Sequence, residues 1–356
     1  MNAAPPSPFG RKGLETHTKG QLMPDRISML QSIEPHRVLT DGDLDGITTA
    51  GVLLRAFPDL IVAFGHPGGI RAGVFDDQID SQTIICDLPS HPACGAVIDH
   101  HETNRADVEG VLNFWKETPS AARIAFEIVG ESQDVSDLQD MIDWVDVLDG
   151  GKVSREDFLS NHPMVVLSRS IEASERPEAA QRIVRGVAEG WGIERILSDP
   201  LVAESIHRRG MEASKITKII HDSLTVVDRI AIVRFDGTGI RTNGYRITAE
   251  AGDECDACIV IHGDVNGSLN GPTHPLSASF YTNSFLHSNG GLVDLTRLAT
   301  AFDPHGGGHR DACGCRIQPL GEDGLRENRE VEIEDVNRNI AAWIGKWSNE
   351  RVRNIG

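Results

Sequence analysis

Arg37-Val38-Leu39-Thr40-Asp41-Gly42-Asp43-Leu44-Asp45-Gly46-Ile47-Thr48-Thr49 is the stretch that decides the fold. A short apolar run turns into aspartates at alternate positions. A segment with Ala50, Val52, Leu53, Leu54 and Phe57 follows at helical spacing. The reading is strand, acidic turn, helix. The same theme recurs downstream. Residues 60–64 read as a second strand. Thr83-Ile84-Ile85-Cys86 reads as a third, running into Asp87, and Ala96-Val97-Ile98 as a fourth, running into Asp99-His100-His101. Apolar runs alternating with helices predict a parallel sheet covered by helices on both faces. Ligands of such sheets sit beyond the carboxyl ends of the strands.

That rule makes the acidic turns one group. Asp41, Asp43, Asp45, Asp87, Asp99, His100 and His101 all close strands of the same sheet. Any one Asp by itself reads better as a helix cap or turn residue. Together, with adjacent histidines, they would repel without cations, and two divalent cations offset that repulsion. Carboxylates with few imidazoles and no thiolate suit Mn²⁺, with Mg²⁺ or Co²⁺ as alternatives. Two such ions clamp the attacking and leaving oxygens of a phosphoryl group.

The motifs also carry a family resemblance. Asp41-Gly42-Asp43-Leu44-Asp45-Gly46 with Thr48-Thr49, the lone Asp87, and Asp99-His100-His101 resemble, in order, the motifs of DHH-family phosphoesterases of the RecJ-like and short-oligonucleotide ribonuclease type. Phe302 to Gly314, with Gly306-Gly307-Gly308-His309-Arg310, resembles the glycine-rich motif of the associated DHHA1 domain. The resemblance spans about residues 36–320. It implies that Asp41 and Asp43 hold one cation, that Asp45 and His100 hold the other, and that Asp87 bridges them. A last carboxylate comes from a later helix, where Asp146 fits best and Asp149 is the alternate. Asp143, Asp146 and Asp149 are spaced by three and share a helix face. Asp99 orients an imidazole, and His101 meets the substrate phosphate or leaving group. Asp87, Asp99, His100 and His101 are thus the catalytic set. Gly306, Gly307, Gly308, His309 and Arg310 read as a phosphate clamp. Tyr281 stands where relatives carry Arg, and His305 where they carry a further glycine, so Tyr281 reads as a base-stacking residue. Arg123 reads as a phosphate contact, with a surface ion pair as the competing reading. Thr118 reads as a helix N-cap with Pro119 behind it.

The domain plan has four parts: a flexible arm (1–25), a metal-binding catalytic domain (26–150), a helical connector (151–225) and a smaller α/β substrate domain (226–356). In the last, residues 230–233, 258–261 and 276–281 read as strands, 293–302 as a helix and the glycine run as a loop. Cys255 and Cys258 with Cys313 and Cys315 form poor zinc spacing.

Composition narrows the partners. The net charge is −19 over 356 residues. Long duplex DNA is gripped by basic surfaces, so a small nucleotide or short single-stranded oligonucleotide is the expected substrate. No apolar run spans a bilayer and no secretory signal opens the chain, so a cytoplasmic home is expected, with a homodimer allowed. The expected activity is phosphoester hydrolysis by water activated between two cations. The alternatives are a single-strand-specific exonuclease and a nucleotide sensor without turnover.

Overall fold

The computed structural model describes residues 25–268 and 273–355, so the arm expected at the N-terminus lies outside the described residues except for Asp25. Asp25 caps α1 (Arg26–Ser32), accepting from Ser28 N. The first sheet holds β1 (Arg37–Asp41), β2 (Ile61–Gly65), β3 (Thr83–Cys86), β4 (Ala96–Ile98) and β5 (Leu112–Asn113), in the order β2-β1-β3-β4-β5. All its pairings are parallel. The order reverses between β1 and β3, which places a crevice at their carboxyl ends.

Adjacent strand residues point to opposite faces. Val38, Ile84 and Ile98 enter one core, Leu39, Ile85 and Val97 the other. The first core is the larger. It packs the sheet against α2 (Leu44–Ala56), α4 (Ala121–Gly130) and α5 (Gln139–Asp149). The opposite face is covered by the short α3 (Pro67–Arg71) and the turns around Ile79, Leu88 and Cys94.

Residues 151–225 are mostly helical, as α6 (Arg155–Leu159), α7 (Pro163–Ser170), α8 (Pro177–Ala188), α9 (Ile193–Leu197) and α10 (Pro200–Ser223). They do more than connect. Ile183, Val184 and Val187 of α8 are buried in the same core as Val52 and Leu53 of α2. A Cβ at Gly51 would collide with Val187, so the helices meet where a side chain is missing.

The second sheet runs β10-β11-β9-β8-β7-β6. Its strands are β6 (Thr225–Val227), β7 (Ile230–Arg234), β8 (Ala257–His262), β9 (Ser277–Thr282), β10 (Gly307–His309) and β11 (Ala312–Arg316). Only β7 and β8 pair in parallel. One face packs on α13 (Glu334–Ile355) through Phe280, Trp343 and Trp347. The other packs on α10 and α11 (Tyr245–Ala251). Two expectations fail here. The helix expected over 293–302 is only α12 (Thr296–Ala299): Asp294 Oδ1 accepts from Thr296 N before it, and beyond it Asp303 accepts from His305 N and Arg316 N in the turn that leads to the glycine run. Gly307 and Gly308 of the glycine run lie in an edge strand rather than a loop. Gly308 has φ of +135° and a Cβ there would press on Ala312 O, so only glycine fits this hairpin.

Candidate metal centre

Each motif reaches the crevice for a local reason. β1 ends at Asp41, and Asp43 caps α2 by accepting from Gly46 N at 3.0 Å. A Cβ on Gly46 would collide with Asp41 O, so glycine permits the tight strand-to-helix turn. Asp45 then lies in the first turn of α2 and is buried. Its two oxygens accept from Ala121 N and Ala122 N, each at 2.8 Å, at the start of α4. The N-cap of α4 is Ser120, not Thr118: Ser120 Oγ accepts from Arg123 N.

Asp87 follows β3 with φ of +55°, a conformation that costs about 1–3 kcal/mol in a non-glycine residue. Its carboxylate is buried, and Oδ1 has no hydrogen-bond partner.

The histidines after β4 are held differently. His100 Nδ1 lies 3.1 Å from Thr118 O. A carbonyl only accepts, so Nδ1 carries the proton and Nε2 keeps its lone pair. That Nε2 is buried without a partner, facing Asp149 Oδ2 at 3.2 Å, Asp87 Oδ1 at 3.5 Å and Asp45 Oδ2 at 3.7 Å. Burial, assisted by His101, holds the His100 pKa below the ordinary imidazole range. His101 is the opposite case. Its bond to Asp99 at 2.9 Å raises its pKa, and half of the ring is exposed beside Asp87 Oδ1 at 3.6 Å. Asp99 accepts from His100 N, His101 N, His101 Nδ1 and Asn104 Nδ2. It is saturated as an orienting group.

Asp41, Asp45, Asp87 and Asp149 resist ionisation. Burial raises Asp45 and Asp87 well above the usual carboxylate range, and neighbouring aspartates push them further. Burial and then Asp43 bring Asp41 to about 6 and Asp149 to about 7. A lone-pair nitrogen facing carboxylates needs either protons or cations between them. Asp45, His100 and Asp149 present atoms within 4.8 Å of one another, as do Asp87, Asp99, His100 and His101. The donor set, oxygen with imidazole, fits divalent cations.

Other expected residues have other partners. Asp146, the favoured last carboxylate, accepts from Ser120 Oγ at 2.5 Å and Arg123 Nε at 2.8 Å, so its oxygens are already engaged. Arg123 also pairs with Asp143 and is therefore committed to α5 rather than open to a phosphate. Tyr281 is half-buried, its ring 5.9 Å from that of Tyr245. Arg310 bonds Gly291 O at 3.0 Å, and His309 is exposed. No hydrogen bond or ion pair among the described residues joins Gly306, Gly307, Gly308 or His309 to the cluster. The cysteines enter neither ligand group, and Cys255 and Cys258 are buried without disulfides.

Sequence reading missed Glu172. Its Oε1 lies 2.8 Å from where a Gly42 Cβ would stand, and its charge adds to the resistance of Asp41. Nothing in its local sequence marks it. It arrives because Ala173 N bonds Gly42 O at 2.8 Å.

No family profile and no curated protein matches the chain. Solved structures do. The pGpG-specific phosphodiesterase PggH from Vibrio cholerae superposes with a TM-score of 0.67 at 21% identity, over 88% of this chain and 99% of that one. The chain has the fold of the DHH family. RecJ from Thermus thermophilus in complex with Mn²⁺ aligns at a TM-score of 0.49 and 14% identity, over 90% of this chain and 55% of RecJ. The DHH domain of PF0399, a member of the s1p family of ribosomal proteins, aligns at 0.46 and 14%, over 89% of each. Among the described residues no helix is long and apolar enough to cross a membrane.

Proposed function

We propose that this chain is a divalent-cation-dependent phosphoesterase that hydrolyses small nucleotides or short single-stranded oligonucleotides. One observation carries the reading: the His100 Nε2 lone pair faces the buried carboxylates of Asp45 and Asp87 and the more open carboxylate of Asp149 at the crevice where the strand order reverses. Similarity to a pGpG-specific phosphodiesterase supports the same class of substrate.

Asp41, Asp43, Asp45, Asp87, His100 and Asp149 would hold the cations, with Asp87 between them. Two cations there supply Lewis acidity for water activation and neutralise charge at phosphorus; Mn²⁺ is the favoured ion. The residues do the rest. His101, whose pKa the Asp99 bond raises, sits at the exposed edge and would give a proton to the departing oxygen as the P–O bond breaks. Water oxygen becomes the new phosphate oxygen, and no covalent enzyme intermediate forms. Gly307, Gly308 and His309 are the edge that holds a substrate phosphate once the two halves close on it.

The test is product analysis with Mn²⁺ and a panel of adenosine 3′,5′-bisphosphate, pApA, a pentanucleotide, a cyclic dinucleotide, pyrophosphate and a long single strand. Turnover of the short esters and not of pyrophosphate is expected. Binding without turnover of any of them would replace the reading with a nucleotide sensor.

A further inference from the structure

A cleft of about 1120 Å³ separates α7 and α10 from the 241–246 segment that opens α11. Arg169, Arg209, Lys218, Arg241 and Arg246 line it, against the carboxylates Glu212 and Asp222. That is a basic surface in a chain of net charge −19. Arg209 is already paired with Glu175 and Glu212, and Arg246 with Glu250. Arg169, Lys218 and Arg241 have no carboxylate partner among the described residues. Arg169 stands out: its Nη2 is buried with no acceptor, and its guanidinium lies 4.6 Å over the Phe158 ring. Burial and the Arg246 charge lower its pKa. A buried donor without an acceptor is costly, and a bound anion offsets that cost.

Chain and strand connections lead from the lining of the cleft to both halves of the proposed site. Arg169 and Ser170 end α7, and three residues later Ala173 N bonds Gly42 O in the first acidic motif. Across the cleft, Tyr245 is 41% exposed and its ring neighbours that of Tyr281. Tyr281 pairs with Ala312, and Ala312 with His309.

We propose that this cleft seats a second phosphate of the nucleotide substrate, held by Arg169 and Arg241, with the attached base against Tyr245. The inference rests on the phosphoesterase reading and deepens it: the preferred substrate carries a phosphate remote from the bond that breaks. Guanidinium groups suit this role because they fork onto two phosphate oxygens, and an exposed tyrosine ring takes any base. Free inorganic phosphate shares the anion chemistry and must be separated from a nucleotide.

The full chain is titrated calorimetrically in EDTA, where the acidic cluster repels phosphate and the cleft alone attracts it. The probes are pApA, ApA and inorganic phosphate. The expected result is that pApA binds at least about tenfold tighter than ApA, the worth of one charge-assisted phosphate contact. Arg169→Gln and Arg241→Gln should each remove about that factor for pApA. Arg241 is exposed, so its variant keeps the fold if Arg169→Gln does not. Equal affinity for pApA and ApA, wild-type affinity in Arg241→Gln, no binding of pApA, or phosphate binding as tightly as pApA would each overturn the proposal. Hydrolysis of bis(4-nitrophenyl) phosphate with Mn²⁺ is run alongside. Its absence would sink the phosphoesterase reading while leaving the titration to score the cleft.

Discussion

Asp149 Oδ2 stands 3.2 Å from His100 Nε2, whereas Asp146, one helical turn earlier, is bonded to Ser120 and Arg123. The two aspartates share a face of α5 and differ in what that face meets. At Asp143 and Asp146 the face meets Arg123 of α4. At its end it meets the carboxyl edge of the sheet.

Asp149→Asn should therefore weaken Mn²⁺ binding by more than about 100-fold, since even residues that only orient a ligand cost about 10–100-fold. Asp146→Asn should leave cation affinity near wild type and lower stability by about 1–3 kcal/mol through its lost bonds. Calorimetric Mn²⁺ titration and thermal melts of both variants check this. The reverse pattern would return the ligand role to Asp146.

Cation binding should release protons at mildly acid pH. Asp41 titrates at about 6 and Asp149 at about 7, so below those values a cation must displace a proton from each. Affinity should rise as pH increases from about 5 and level off above about 7.5. Titration in two buffers of different ionisation enthalpy should show more protons released per cation at pH 6 than at pH 8. A pH-independent affinity would mean these carboxylates do not meet the ion.

Asp87 keeps a left-handed backbone, φ +55°, that glycine adopts freely. Asp87→Gly and Asp87→Ala should both abolish turnover. The glycine variant should be the more stable by about 1 kcal/mol, because it relieves strain that alanine retains. Equal melting temperatures would show that the strain is not stored there.

His262 makes the second half acid-sensitive. Burial, with Arg241 nearby, depresses its pKa from 6.5 to about 4, and its Nδ1 has no partner. The folded chain thus binds fewer protons than the unfolded chain between these values. The stability His262 contributes is present above about 6.5 and is lost as pH falls toward 4, on the order of 3 kcal/mol in all. Denaturant midpoints of the wild type should fall over that range, and His262→Gln should flatten the slope. An unchanged slope would refute the assignment.

Where burial is continuous, the sequence is readable. Thr83–Cys86 and Ala96–Ile98 match their predicted limits because every residue in them is buried. The tight turn at Gly46 is legible because three aspartates and a glycine leave little else. The choice between Asp146 and Asp149 is not, because helical spacing puts both on one face and only the packing of Arg123 separates them. Glu172, Arg169 and Arg241 escape notice for another reason. They belong to no motif, and a contact such as Ala173 N to Gly42 O joins residues 131 positions apart. The glycine run misleads because Gly307 and Gly308 look like a loop until β11 is seen to pair with them.

The most direct test is the number of cations held by the intact chain. Crystals soaked in Mn²⁺ and measured at the manganese absorption edge should show two anomalous peaks about 3.5–4 Å apart, with the Asp87 carboxylate between them and His100 Nε2 on one. Asp87→Asn should lose at least one peak. No peak beside His100, or a single ion with Asp87 unbound, would contradict the account.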